Sequence, residues 1–191
     1  MSLLIFLRMM FLLTISFYAF PPSLKAGGPW KAQVVDAETK QPLQGVVVLA
    51  VWSQYALSGE GYPLWVGYVD SEEVVTDKEG QFTIAARSFS TFNGLVFDEP
   101  QFYLFKPGYG QWRFQGEEVW LKLDAPERHL HFQELARQFV DKGVVIELPP
   151  LKTREERLQF YQSFGRIPSV PLDKMKRWKD AADVERAYLG L

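Results

Sequence analysis

Residues 74–84 read VVTDKEGQFTI. Two β-branched residues and a threonine run into Asp77-Lys78-Glu79-Gly80, and Phe82 and Ile84 then alternate with Gln81 and Thr83. A glycine closing a short polar turn between two such runs predicts a tight hairpin, because glycine alone takes positive φ without steric cost. The alternation after it predicts a half-buried strand with Phe82 on the inward side.

Working outward, the same grammar repeats. Residues 30–36 (WKAQVVD) are a strand candidate, and residues 37–45, with Pro42 and Gly45, are rich in turn chemistry. Residues 46–52 (VVVLAVW) form a nearly continuous apolar run of strand length, the pattern of a central strand. Residues 53–63 read as a loop, 64–70 and 72–76 as two further strands, and 88–100 as a long loop with apolar content. Residues 101–105, 111–114 and 119–123 complete about eight short strands with almost no helix before residue 124. That spacing predicts an all-β sandwich.

The tail changes period. Asp124 with Glu127 three residues on has the form of a capping box, followed by Leu130, Leu135, Phe139 and Val140 and closed by Gly143. Residues 144–148 (VVIEL) read as one more strand. Thr153 and Glu156 make a second capping box, opening a helix that Gly165 closes. Residues 171–189 form an amphipathic helix with Met175, Trp178, Ala182 and Leu189 on its apolar side.

The chain has 191 residues, 47% hydrophobic and 15% aromatic, with no cysteine and two histidines. That excludes a disulfide scaffold, a thiolate metal site, a cysteine nucleophile and a three-histidine zinc site within one chain. A net charge of −2 carries no nucleic-acid footprint. The charge is uneven: residues 27–127 hold 7 basic and 14 acidic side chains, and residues 128–191 hold 12 and 9. Residues 1–26 read as a signal peptide. Their uninterrupted apolar run, 9–20, is shorter than the roughly 20 residues of a spanning helix, and Pro21 and Pro22 end it. Cleavage after Ala26 is expected, with an uncleaved anchor as the rival and the only expected membrane contact. The division that follows is a signal peptide at 1–26, a β-sandwich at 27–124 and a helical extension at 125–191 with one further strand near 144–148.

Three stretches in order resemble the carboxypeptidase regulatory-like domain, a transthyretin-like β-sandwich. They are VVDAETKQPLQGVVV (34–48), VVTDKEGQFTI (74–84) and FKPGYG (105–110), and the similarity covers roughly residues 30–123. The motif residues are Gly45, Asp77, Gly80, Phe82, Pro107, Gly108 and Tyr109; Lys40 stands where the family commonly has glycine. The resemblance implies a Greek-key sandwich and a non-catalytic accessory or binding role. The hydroxyisourate hydrolase activity of some transthyretin-like folds needs histidines, and residues 1–128 hold none.

Other readings are weaker. His131 and Glu134 have the spacing of a zinc carboxypeptidase motif, but no third ligand follows, and His129 would point nearly opposite to His131 on a helix. Asp77 and Glu79 with Asp70, Glu72 and Glu73 can be read as a calcium site, yet the EF-hand spacing is missing and a hairpin explains the turn. The loop aromatics are the better candidates: Tyr55, Tyr62 and Trp65 around one long loop, and Phe89, Phe92 and Phe97 in the other. Exposed, the first set can stack on sugar rings; the phenylalanines are expected to seal the core. The expectation is an exported, periplasmic or cell-surface protein with no cofactor and no metal. It acts as an accessory or protein-interaction module of the bacterial envelope, with a carbohydrate-binding module as the alternative and a metal-dependent peptidase as a distant third.

Overall fold

The computed structural model describes residues 24–191, apart from 58, 60–62, 91–94, 98, 118–121, 123, 164–166, 168 and 169. The expected signal segment up to residue 23, Tyr62, Phe92, Gly165 and nearly all of the strand expected at 119–123 lie outside the described residues.

The protein is mainly β, with two sheets packed across a shared core as in a β-sandwich, plus a few helices. The first sheet contains β2 (Trp30–Asp36) and β5 (Gln81–Ile84), paired antiparallel. The hairpin expected over residues 74–84 is instead a tight turn between sheets, because Val74 and Val75 pair with Val48 and Val47 in the second sheet while Gln81–Ile84 pair with β2 in the first. The second is centred on β3 (Val47–Leu57), flanked on one side by β4 (Pro63–Val75) and on the other by β7 (Leu95–Phe97) and β8 (Gln101–Phe105). A small pair joins β1 (Leu24–Gly27) to β6 (Arg87–Ser90). This pair spans the cleavage point expected after Ala26, so cleavage there would leave β6 with only Gly27 of its partner.

Three further expectations change. The loop expected at 53–63 is mostly strand, because β3 runs on to Leu57. The two strands expected at 64–70 and 72–76 are one strand, β4. Its register against β3 skips Val69 and Val66, and a bulge absorbs each extra residue without ending the strand. The long loop expected at 88–100 contributes two short strands, β6 and β7.

The tail is woven into the sandwich. α1 (Ala125–Val140) starts as expected, with Asp124 accepting from the Glu127 N–H at 2.9 Å. Its second half meets the sheets through Leu135, Phe139 and Val140. Phe139 inserts among Phe82, Phe102 and Phe114, while Leu130 stands 65% exposed, against the expectation that it faces inward. β10 (Val144–Leu148) then lies between β2, in parallel, and β9 (Arg113–Phe114), antiparallel. The order of the first sheet is therefore β5-β2-β10-β9. A strand expected in the extension is an interior member of the sheet, with Val144, Ile146 and Leu148 in the shared core.

β3 explains its own unbroken apolar run. Val48, Ala50 and Trp52 face the opposite sheet, and Val47, Leu49 and Val51 face the other way, into a second cluster around Trp178. Trp178 belongs to α3 (Lys176–Leu189), which follows α2 (Arg154–Ser163) and a short 3-10 turn at Leu172–Lys174. Both faces of β3 are buried from Val47 to Trp52, which is why that stretch is apolar without alternation. The Thr153 box forms as expected: Thr153 Oγ1 accepts from the Glu156 N–H at 3.1 Å, and Glu156 reaches back to the N–H groups of Lys152 and Thr153.

Candidate functional site

Trp65 and Tyr55 sit directly opposite each other on β4 and β3. Directly opposed residues share a face, with Cβ atoms about 5 Å apart. Both skipped residues are on β4, so β3 alternates without interruption and Tyr55 shares the face of Val47, Leu49 and Val51. α3 covers the near part of that face and leaves this end open. Leu64, Trp65 and Val66 are 56%, 52% and 46% exposed, and Tyr55 is half-buried. Three consecutive exposed apolar residues are unusual on a strand, where alternate side chains normally turn inward. Leu64, opposite Ala56, lies on the other face from Trp65, and Val66 is the bulged residue that falls outside the regular alternation. No charged side chain occurs in residues 63–69.

Deeper on the same face, Ser53 is buried with a hydroxyl that has no hydrogen-bond partner. Burial, and then the nearby Tyr55, hold the Tyr103 hydroxyl above its usual range. Of the three sequence-predicted ligand residues, the structure brings Tyr55 and Trp65 together; Tyr62 lies outside the described residues. Leu64 and Val66 escaped sequence reading because alternation places both on the face opposite Trp65, the face expected to turn inward. The side chains of Phe89 and Phe97 lie outside the described residues.

The motif residues are fully accounted for. Asp77 Oδ1 accepts from the N–H groups of Glu79 and Gln81 at 3.0 and 2.7 Å, fixing the tight turn that carries the chain from one sheet to the other. Gly80 has φ 72°, and a Cβ there would sit 2.4 Å from the Val34 carbonyl oxygen. Glycine is needed for space as well as for φ. Gly45 reverses its expected reason: the nearest atom to a Cβ would be Lys106 Nζ at 3.7 Å, so its φ of 78° is what demands glycine, not close approach. Phe82 is buried against Phe139. Lys40 takes φ 61°, the region glycine favours, and its ammonium holds the buried Glu147 at 2.7 Å. Pro107 and Gly108 turn the chain, and the Gly108 N–H donates to Glu185 Oε2 at 3.0 Å. Tyr109 packs on the core and donates its hydroxyl to Asp36.

The acidic groups are engaged by the fold. Arg87 pairs with Asp70 and Glu72 and lies over the Trp52 ring. Glu73 accepts from the N–H groups of Trp178 and Arg177 at 2.7 and 2.9 Å, so β4 caps α3 across the fold. Glu134 is bound by Arg137 and Gln138, which hold its carboxyl at about 2. Among the described residues, no group of three or more histidines and carboxylates is placed to hold a metal ion. A shallow groove of about 320 Å³ on the outer face of the first sheet is lined by Lys31, Gln33, Gln81, Thr83 and Lys142 among others. It contains no nucleophile with an adjacent base.

No family model, curated protein or solved structure matches the chain. The functional reading therefore rests on the site itself.

Proposed function

We propose that the chain is an exported, non-catalytic accessory or interaction module of the bacterial cell envelope, built on a carboxypeptidase regulatory-like, transthyretin-like Greek-key sandwich. Support for the fold reading comes from the meshing of the three motifs. Thr76, buried, accepts from the Val46 N–H and donates to the Leu43 carbonyl, tying the second motif to the first. Tyr109 of the third motif reaches Asp36 of the first.

The observation that carries the functional reading is Trp65, exposed opposite Tyr55 on the edge strand of the second sheet, beyond the part of that face where α3 packs on Val47, Leu49, Val51 and Phe105, with Leu64 and Val66 exposed beside it in the strand. Apolar surface left open on an otherwise well-covered body marks a contact site. The second reading, a carbohydrate-binding module, draws on the placement of Trp65 opposite Tyr55. A metal-dependent peptidase gets no support from Glu134, whose carboxylate already serves Arg137 and Gln138.

Export is proposed from the N-terminal segment; no helix among the described residues is long and apolar enough to cross a membrane. The test is capture from the native envelope with the parent chain and with Trp65→Ala and Val66→Asp, alongside the mass of the N-terminal peptide. A partner retained by the parent and lost by both variants supports the reading. Equal capture by all three removes the site.

A further inference from the structure

We infer that the folded, exported protein keeps Leu24–Gly27 as a strand, so that any cut releasing the leader lies upstream of Leu24 and not after Ala26. The inference rests on the reading of the N-terminal segment as an export signal, and it moves the processing point.

The receiving strand is fixed first. β6 begins at Arg87, which pairs with Asp70 and Glu72 of β4 and lies over the Trp52 ring. Those contacts hold β6 to the second sheet independently of β1. β1 then pairs along its whole length: Leu24 opposite Ser90, Lys25 opposite Phe89, Ala26 opposite Ser88 and Gly27 opposite Arg87.

The turn that delivers β1 is built tightly. Gly28 has φ 90°, and a Cβ there would sit 2.6 Å from the Trp30 ring and 3.0 Å from the Ala86 Cα. A Cβ on Gly27 would press on the same ring at 3.0 Å. Glycine is required at 28 for space and for φ, and space favours it at 27. Trp30 beneath them is 3% exposed and meets Trp52 and Phe102 edge-on, so the turn rests on the core itself. In a chain that began at Gly27, this turn would have no strand to deliver.

A cut after Ala26 also disturbs what it leaves. Hydrolysis of the Ala26–Gly27 bond consumes one water, puts a carboxylate on the released leader and an α-ammonium on Gly27. The new cation would stand opposite Arg87, with Cα atoms about 5 Å apart. Like charges directly opposed in a strand pair repel. Ser88, Phe89 and Ser90 would become an open strand edge. The local sequence points the same way. Leader cleavage prefers small residues in an A-x-A-like pattern, and a cut after Ala26 places Leu24 at the first of those positions. The nearest bond that keeps β1 whole follows Ser23, itself a small residue.

The experiment expresses the full chain in a bacterial host, with an affinity tag after Leu191, and recovers it separately from cytoplasm, periplasm and membranes. Intact mass and the N-terminal peptide locate its start, and amide hydrogen exchange reads Ser88–Ser90. The expected result is an exported chain that begins at or before Leu24, with exchange at Ser88–Ser90 slowed about tenfold or more relative to free peptide. Gly28→Ala should lose that protection. A start at Gly27 in the exported protein overturns the inference and leaves export standing. Exchange at Ser88–Ser90 as fast as in free peptide overturns it as well, because β1 is then not held. An intact chain confined to the cytoplasm overturns the export reading, and the processing point with it.

Discussion

Tyr109 donates its hydroxyl to Asp36 Oδ2 across 3.1 Å. The other oxygen of the same carboxylate accepts the N–H groups of Glu38 and Thr39, both at 2.8 Å. One buried carboxylate thus closes the turn after β2 and fastens the corner after β8 to it. Burial pushes the Asp36 carboxyl up, but these donors outweigh it and leave it below the usual carboxylate range.

Tyr109→Phe should destabilise the chain by roughly 1–2 kcal/mol, because it leaves Asp36 one donor short in a buried site. The pH dependence has a definite sign. A lowered folded value means that this stabilisation is present above the unfolded carboxylate range and is lost as pH falls through the folded value. Removing the hydroxyl raises that folded value, so acid unfolding of the variant should begin at higher pH. Urea titrations from pH 7 down to 3 measure both effects; identical acid midpoints for parent and variant would show that the hydroxyl contributes nothing.

The Arg157–Glu185 pair should be the most sensitive polar contact. Arg157 grips both oxygens of Glu185, which is 3% exposed and also accepts from the Gly108 N–H. Arg157→Ala strands a buried charge and should cost about 3 kcal/mol or more. Adding Glu185→Gln should recover part of that loss, and a double-mutant cycle by chemical denaturation reads the coupling.

α3 is held at two points, by Trp178 on the outer face of the second sheet and by Glu73 at its first turn. Trp178→Ala uncovers Val47, Leu49 and Phe105 and should lower stability by about 3–5 kcal/mol. It should also increase binding of a hydrophobic dye. Glu73→Gln keeps the shape and weakens only the cap, for a loss of about 1 kcal/mol. Limited proteolysis separates the two: cleavage near residue 175 should rise sharply in the first and slightly in the second.

Gly80→Ala should be worse than an ordinary turn substitution. The added methyl would meet the Val34 carbonyl oxygen at 2.4 Å, and the φ of 72° penalises any side chain. Loss of cooperative thermal unfolding, or a fall of several degrees in Tm, is the expected result. Gly45→Ala, where space is free, should cost less.

Local grammar was legible in the sequence where the cause is local. The tight turn at Asp77 to Gly80, both capping boxes and the ends of β2 and β10 follow from residues within a few positions of one another, whereas the assignment of the turn's two strands to different sheets does not. What escaped depends on distant partners. Nothing near Asp70 and Ser71 reveals that the strand continues through them, because a bulge is defined by the register of β3. A second bulge, at Val66, breaks the alternation beside Trp65, which is why Trp65 was legible as a candidate and Val66 was not. The acid at position 185 did leave a trace: it falls on the same helical side as Trp178, Ala182 and Leu189, where a carboxylate demands a buried cation. Which strand β10 would join could not be read, since parallel pairing leaves no turn between the partners.

That pairing also sets the order of events when the chain is made. β2 emerges early, and its parallel neighbour follows more than a hundred residues downstream. Until then the inner edge of the first sheet lies open, and a nascent chain stopped before residue 144 has no complete sheet to close. This sheet can close only after residue 148 has been made, which keeps the polypeptide between β2 and β10 threadable, and dependent on protection, until then.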